Sequence, residues 1–109
     1  MDNLKVQQLK KGTLEMILLS LIENYNCSYG YAILNALDQM GEDCFRNPKA
    51  GTVYPVLYRL EAQNLIKAVD EQTDLSTKRK YELTPQGKKA LKNMIENWKH
   101  YISVVNKFI

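Results

Sequence analysis

Five side chains within one short stretch, Thr52, Tyr54, Pro55, Tyr58 and Arg59, are the best placed in this sequence to engage a partner chemically. They are not a bond-breaking set. Tyrosine hydroxyls reach phosphates, their rings meet thymine methyls, and an arginine can meet a phosphate or a guanine edge. At about 100° per residue around a helix, Val53, Leu57, Leu60 and Asn64 fall together. Pro55, Tyr58, Arg59 and Ala62 fall opposite, with Tyr54 on the flank. The same residues would also serve as the solvated cover of an amphipathic helix. Arg46 and Lys49 stand just upstream, and Thr77-Lys78-Arg79-Lys80 supply a second basic cluster, which tips the balance toward a polyanion.

The rest of the inventory argues against catalysis. A single histidine, His100, stands in a long helical pattern. There is no glycine-rich phosphate loop, no G-x-S-x-G and no pair of catalytic carboxylates. Cys27 and Cys44 make no CxxC pair and have no histidine nearby, so they read as reduced, partly buried thiols rather than metal ligands. No cofactor and no metal is implied.

The elements that must position these side chains follow from the periodicity. Residues 13 to 23 repeat apolar groups at Leu14, Ile17, Leu18, Leu21 and Ile22, which predicts a helix with Thr13 as its N-cap. The preceding LKVQQLKK fits either a short helix or an arm. A second helix is expected after Ser28 as cap, with Tyr31, Ile33, Leu34 and Leu37 toward the core and Gly41 as its stop. Gly30, in its first turn, leaves room for another backbone to come close. An irregular link, 42 to 51, is anchored by Phe45 and turned by Asn47-Pro48.

The third helix is expected to start at Thr52, which puts Pro55 in its first turn, and to stop near Asn64, a residue that tolerates left-handed backbone. LIKAV then reads as a strand, EQTDLST as a turn and KRKYEL as the returning strand, with Arg79, Tyr81 and Leu83 on one face. Thr84-Pro85 starts the last helix as N-cap and first helical residue. The sum is a mainly α chain with a small β hairpin: a winged helix-turn-helix over residues 1–83 and a long C-terminal helix over 84–109.

Composition fits that reading. A chain of 109 residues with 45% hydrophobic and 25% charged residues is long enough for one core. Charge is divided unevenly. Between Thr13 and Phe45 there are five carboxylates and no Lys or Arg, whereas residues 46 to 109 hold twelve basic groups against six acidic ones. Lys5, Lys10, Lys11, Lys88, Lys89 and Lys92 add to the field or simply solvate the surface. No apolar run is long enough to cross a bilayer, and MDNLKVQQLKKG does not read as a signal peptide, so no membrane is involved and a cytoplasmic location is expected.

The last helix carries a stripe at strict three-four spacing, Leu91, Met94, Trp98, Tyr101, Val105 and Phe108, widened by Ile95, Ile102 and Ile109. On a monomer so small such a stripe would lie bare, which implies a homodimer burying it. The interface expected is Leu91, Met94, Trp98, Tyr101, Ile102, Val105 and Phe108.

The segments GTLEMILLSLI, SYGYAIL, GTVYPVLYRLEAQNLI and RKYELTPQG, in that order and spacing, resemble the PadR family of bacterial transcriptional regulators, and its short subfamily in having one C-terminal helix. The resemblance implies a dimeric winged-helix repressor of double-stranded DNA with a palindromic operator. Thr52, Tyr54, Pro55, Tyr58 and Arg59 would be contacts of the recognition helix, and Lys78 to Lys80 contacts of the wing. Where family wings often carry glycines, this chain has Asp74-Leu75-Ser76-Thr77. ENWKHYI is similar to the region that stacks planar aromatic drugs in multidrug sensors of that family. Trp98, with Ile95 and Ile102 nearby, is therefore either a small-molecule effector platform or a packed dimer-core residue. Glu15 would attract a cationic effector. A winged-helix module that binds protein rather than DNA is the alternative.

Overall fold

The computed structural model describes residues 3–72 and 77–109. Helix α1 spans Asn3–Asn24, α2 Gly30–Met40 and α3 Ala50–Ala62. Strands β1, Ile66–Gln72, and β2, Thr77–Leu83, form an antiparallel pair in the register Ile66↔Leu83 to Gln72↔Thr77. Helix α4, Pro85–Val105, follows. Three helices, a hairpin and a long terminal helix are the winged-helix order that the periodicity predicts. The strands reach further than expected, taking in Glu71, Gln72 and Thr77 from the anticipated turn; residues 73–76, including Asp74, Leu75 and Ser76, lie outside the described residues.

One core joins every element. Leu18, Leu19, Ile33, Leu57, Leu60 and Ile66 are fully or almost fully enclosed, and Tyr81 is 2% exposed. Leu91 of α4 is 5% exposed in the same cluster, so it is removed from the expected dimer face: it holds α4 to its own chain. Met94 and Ile95, one turn on, pack partly against that core.

Several local expectations are corrected. α1 is continuous through Gly12, and Thr13 is no cap; its hydroxyl donates back to the Leu9 carbonyl at 3.1 Å within the helix. Ser28 does not cap α2. The cap position is Tyr29, with no capping side chain, and the Ser28 carbonyl instead accepts the Tyr81 amide at 2.7 Å, tying β2 to the loop before α2. Tyr31 is 61% exposed rather than in the core, because it stands two residues before buried Ile33 and hence roughly opposite it on the wheel. α3 begins two residues earlier than expected, at Ala50, which puts Pro55 inside the helix. Its missing amide hydrogen leaves the Gly51 carbonyl without a helical donor. Gly51 and Pro55 are both exposed, so water can satisfy that carbonyl.

Other expectations stand. Asn64 has φ 61° just past α3, Gly41 caps α2, and Phe45 packs on the core. Thr84 caps α4, its hydroxyl accepting the Gly87 amide at 2.9 Å. The same hydroxyl donates to the Asn64 carbonyl at 2.7 Å, and the Thr84 amide donates to the Leu65 carbonyl at 3.0 Å. One buried threonine thus joins the end of α3, the hairpin and α4. Gly87 is required there: a Cβ would sit 1.8 Å from the Leu65 carbonyl oxygen.

Candidate nucleic-acid interface

Helix α3 turns Val53, Val56, Leu57 and Leu60 into the core. Their burial leaves Gly51, Pro55, Tyr58 and Ala62 outward, and a Cβ built on Gly51 meets nothing within 4 Å. The outward face is therefore low and nearly free of long side chains apart from Tyr58, which is 52% exposed. Such a surface can approach another backbone closely. Thr52 and Lys49, at the start of the helix, are exposed as well.

The two flanks of α3 are occupied. On one side Tyr54 is half-buried, and its ring lies over Gly30, where a Cβ would stand 2.1 Å from the phenolic oxygen. The residue assigned from sequence to DNA thus packs α3 on α2. The space Gly30 leaves admits this side chain, not the backbone anticipated. Tyr54 and Tyr58 also lie ring to ring at 6.3 Å. On the other flank Arg59 Nε donates to Glu15 Oε1 at 3.0 Å, joining α3 to α1.

The hairpin divides its cations by strand alternation. Arg79 turns back to α3, donating to Glu61 Oε2 at 2.9 Å, with Asp70 at 3.9 Å. Lys78 and Lys80 lie on the other face and are exposed. Lys78 Nζ stands 5.6 Å and 5.9 Å from the ring centroids of Tyr31 and Tyr29, which are stacked at 5.6 Å. The Tyr29 hydroxyl donates to Glu71 at 2.7 Å; that bond, then partial burial and the Glu71 charge, raise its pKa. Sequence patterning missed this clamp, since it assigns Tyr31 to the core stripe of α2 and gives Tyr29 no role. Thr77 pairs with Gln72 at the far end of the ladder. Arg46 is drawn to Asp43 Oδ1 at 2.6 Å in the link before α3, both groups well exposed.

The residues expected to meet an effector are brought together only in part. Glu15 and Trp98 line one open cavity of about 510 Å³ between α1, α3 and α4, whose wall also takes in Lys11, Arg59, Met16, Met94 and Asn97. Ile95 and Ile102 do not line it. Ile95 packs on the core, and Ile102 is half-buried further along α4. The apolar stripe of α4 grows barer toward the C-terminus: Trp98 is 38% exposed, Tyr101 62%, Phe108 84% and Ile109 93%, with Val105 between them half-buried. Among the described residues no group of histidines, cysteines and carboxylates could hold a metal ion, and no helix is long and apolar enough to cross a membrane.

A family model described as transcriptional regulator PadR-like matches residues 18–93, ending before the exposed half of α4. An uncharacterized protein of Lysinibacillus sphaericus is 30% identical over 100 residues, covering 91% of this chain and 90% of its own. Two solved structures are similar throughout. A PadR family transcriptional regulator from Eggerthella lenta is 29% identical at TM-score 0.84, over 95% of this chain and 88% of that one. A transcriptional regulator from Clostridium thermocellum is 30% identical at TM-score 0.80, over 94% and 98%.

Proposed function

The chain belongs to the PadR-like family of transcriptional regulators, and we propose that it acts as a dimeric repressor whose α3 enters the major groove of a palindromic operator. The observation that carries this reading is the outward face of α3: Gly51, Pro55, Tyr58 and Ala62 are exposed while the opposite side is sunk in the core. A recognition helix needs this combination of firm seating and a low profile. Lys49 and Thr52 flank the face at its N-terminal end, and Lys78 and Lys80 would carry phosphates from the hairpin. Arg59 and Arg46 join them once drawn off their carboxylates. Tyr54 serves by holding α3 at its angle.

Two copies joined through Trp98, Tyr101, Ile102, Val105 and Phe108 would cover the bare half of α4 and set two α3 helices apart by a fixed spacing. The cavity shared by Trp98, Glu15 and Arg59 supports an effector reading. A planar aromatic cation stacked on Trp98 would compete with Arg59 for the Glu15 carboxylate and so change how α3 is tethered to α1.

Operator gel shift tests the reading. Tyr58→Ala and Arg59→Ala proteins with native circular dichroism should lose binding to a palindromic promoter site, and undiminished binding by both would reject this face. Binding that is insensitive to salt would favour the protein-interaction alternative. Sedimentation should give a dimer for the native chain and a monomer for Tyr101→Glu. Quenching of Trp98 fluorescence by planar cationic dyes, absent in Glu15→Gln, tests the effector.

A further inference from the structure

A second cavity, of about 590 Å³, opens on the other side of Arg59 between α1, the 42–49 link and the beginning of α3. Its floor is apolar and comes from the core itself: Leu14, Leu37, Val53 and Val56, each 9% exposed or less. Phe45 forms one wall. Around the opening stand five cations, Lys10, Lys11, Arg46, Lys49 and Arg59, and among the described residues no Asp or Glu lines it.

Charge and shape here are not those of a plain solvated surface. A solvated basic surface has no need of a core-lined hollow, and a DNA strand tracking past would use the rim and leave the floor empty. The cations are also only loosely engaged. Lys10 Nζ rests 5.0 Å from the Phe45 ring centroid, and Arg46 and Arg59 are held by exposed or half-exposed carboxylates outside the cavity. Lys49 has no ion pair among the described residues. α3 begins at this rim with no side chain capping its first turn, so the positive end of the helix adds to the same field.

We propose that this cavity binds an amphiphilic organic anion, a carboxylate or phosphate head on an apolar body, and that its occupancy competes directly with DNA. The head meets Lys49 and Lys10 at the rim, and the body lies on Leu14, Leu37, Val53 and Val56 beside Phe45. The volume lies within the range of small-molecule sites. The competition rests on the assignment of Arg46, Lys49 and Thr52 to DNA, since all three line the cavity and a bound anion would claim them. This route differs from one acting through Trp98, which does not line the cavity.

Octanoate is the probe, measured by calorimetry on the 109-residue chain without DNA. Saturable binding is expected, strengthening about fourfold for each methylene between hexanoate and octanoate as the apolar floor is covered. Octanol, lacking the charge, should bind at least tenfold more weakly. Lys10→Gln with Lys49→Gln should cost octanoate at least tenfold, whereas Lys99→Gln, at an exposed cation of α4 that does not line the cavity, should leave it unchanged; both sets alter exposed or partly exposed side chains and are checked for native melting. Equal binding of octanol, indifference to the lysine pair, or an equal loss with Lys99→Gln would overturn the site. Octanoate should then displace operator from the native protein in a gel shift at constant ionic strength. Binding without displacement would overturn the competition, and absence of operator binding without octanoate would count against the DNA reading while the calorimetry still judges the site.

Discussion

Arg59 Nε lies 3.0 Å from Glu15 Oε1, so the one arginine in the outward half of α3 is tied to α1 by a carboxylate 44 residues earlier. Both partners are partly exposed, at 54% and 32% of their side chains, and such a pair contributes at most about 1 kcal/mol. A tether this weak can hold the side chain in one place and still yield to phosphate.

Glu15→Gln is accordingly expected to change thermal stability by less than about 1 kcal/mol and to tighten operator binding by up to about fivefold, because Arg59 no longer leaves a carboxylate to reach DNA. Fluorescence anisotropy with labelled operator, alongside melting curves, reads both. Weaker binding by this variant would mean that the pair positions Arg59 instead of restraining it.

Lys78 and Lys80 face away from α3 while Arg79 is bound to Glu61. Replacing either lysine by Ala should weaken operator binding to all sequences alike and lower the dependence of log K on log salt by about 0.9. Arg79→Ala should act mainly through stability, by loosening the hairpin from α3. Binding at several salt concentrations separates the two effects.

Tyr54 fills the space that Gly30 leaves, with its phenolic oxygen 2.1 Å from where a Cβ would be. Gly30→Ala should therefore push the ring aside and destabilise the fold by about 1 to 3 kcal/mol, as overpacking does. Tyr54→Phe keeps the ring and should stay near native stability. Urea denaturation of both variants checks this, and a neutral Gly30→Ala would show that Tyr54 is not seated there.

Gly87 and Thr84 fasten α4. A Cβ on Gly87 would stand 1.8 Å from a backbone carbonyl that cannot swing away, so Gly87→Ala should cost about 3 kcal/mol. Thr84→Ala removes the N-cap acceptor and the bridge to Asn64, for about 1 to 2 kcal/mol. Thr84→Ser should recover most of that loss, and a melt series over the three variants reads the order.

Burial pushes the Tyr81 phenol above its ordinary value of 10.0, with the neighbouring Arg79 charge opposing. Its neutral form is the one the core accepts. Stability from this group is therefore complete below the unfolded value and lost as pH rises through the higher folded one. Between about pH 8 and about pH 11 the native chain should lose more stability than Tyr81→Phe, measured by urea midpoints.

Local pattern alone determined the element order, the buried side of α3, the Asn64 stop and the Thr84-Pro85 start. Helical and strand periods, caps and left-handed residues are written within a few neighbouring positions, so they can be read without knowing what packs where. Boundaries were less legible: α1 runs straight through Gly12-Thr13 and α3 starts before Thr52, and the added residues lie mostly on the surface, where a helix propagates one backbone hydrogen bond at a time and no apolar period announces its first turn. The tertiary structure alone decided which polar side chains of α3 are taken up within the chain. Tyr54 is claimed by Gly30, Arg59 by Glu15 and Glu61 by Arg79 of β2, while Leu91 goes to the core instead of the exposed apolar stripe of α4. Each depends on a partner distant in sequence, brought near only when helices settle at particular angles, and no periodicity encodes that distance.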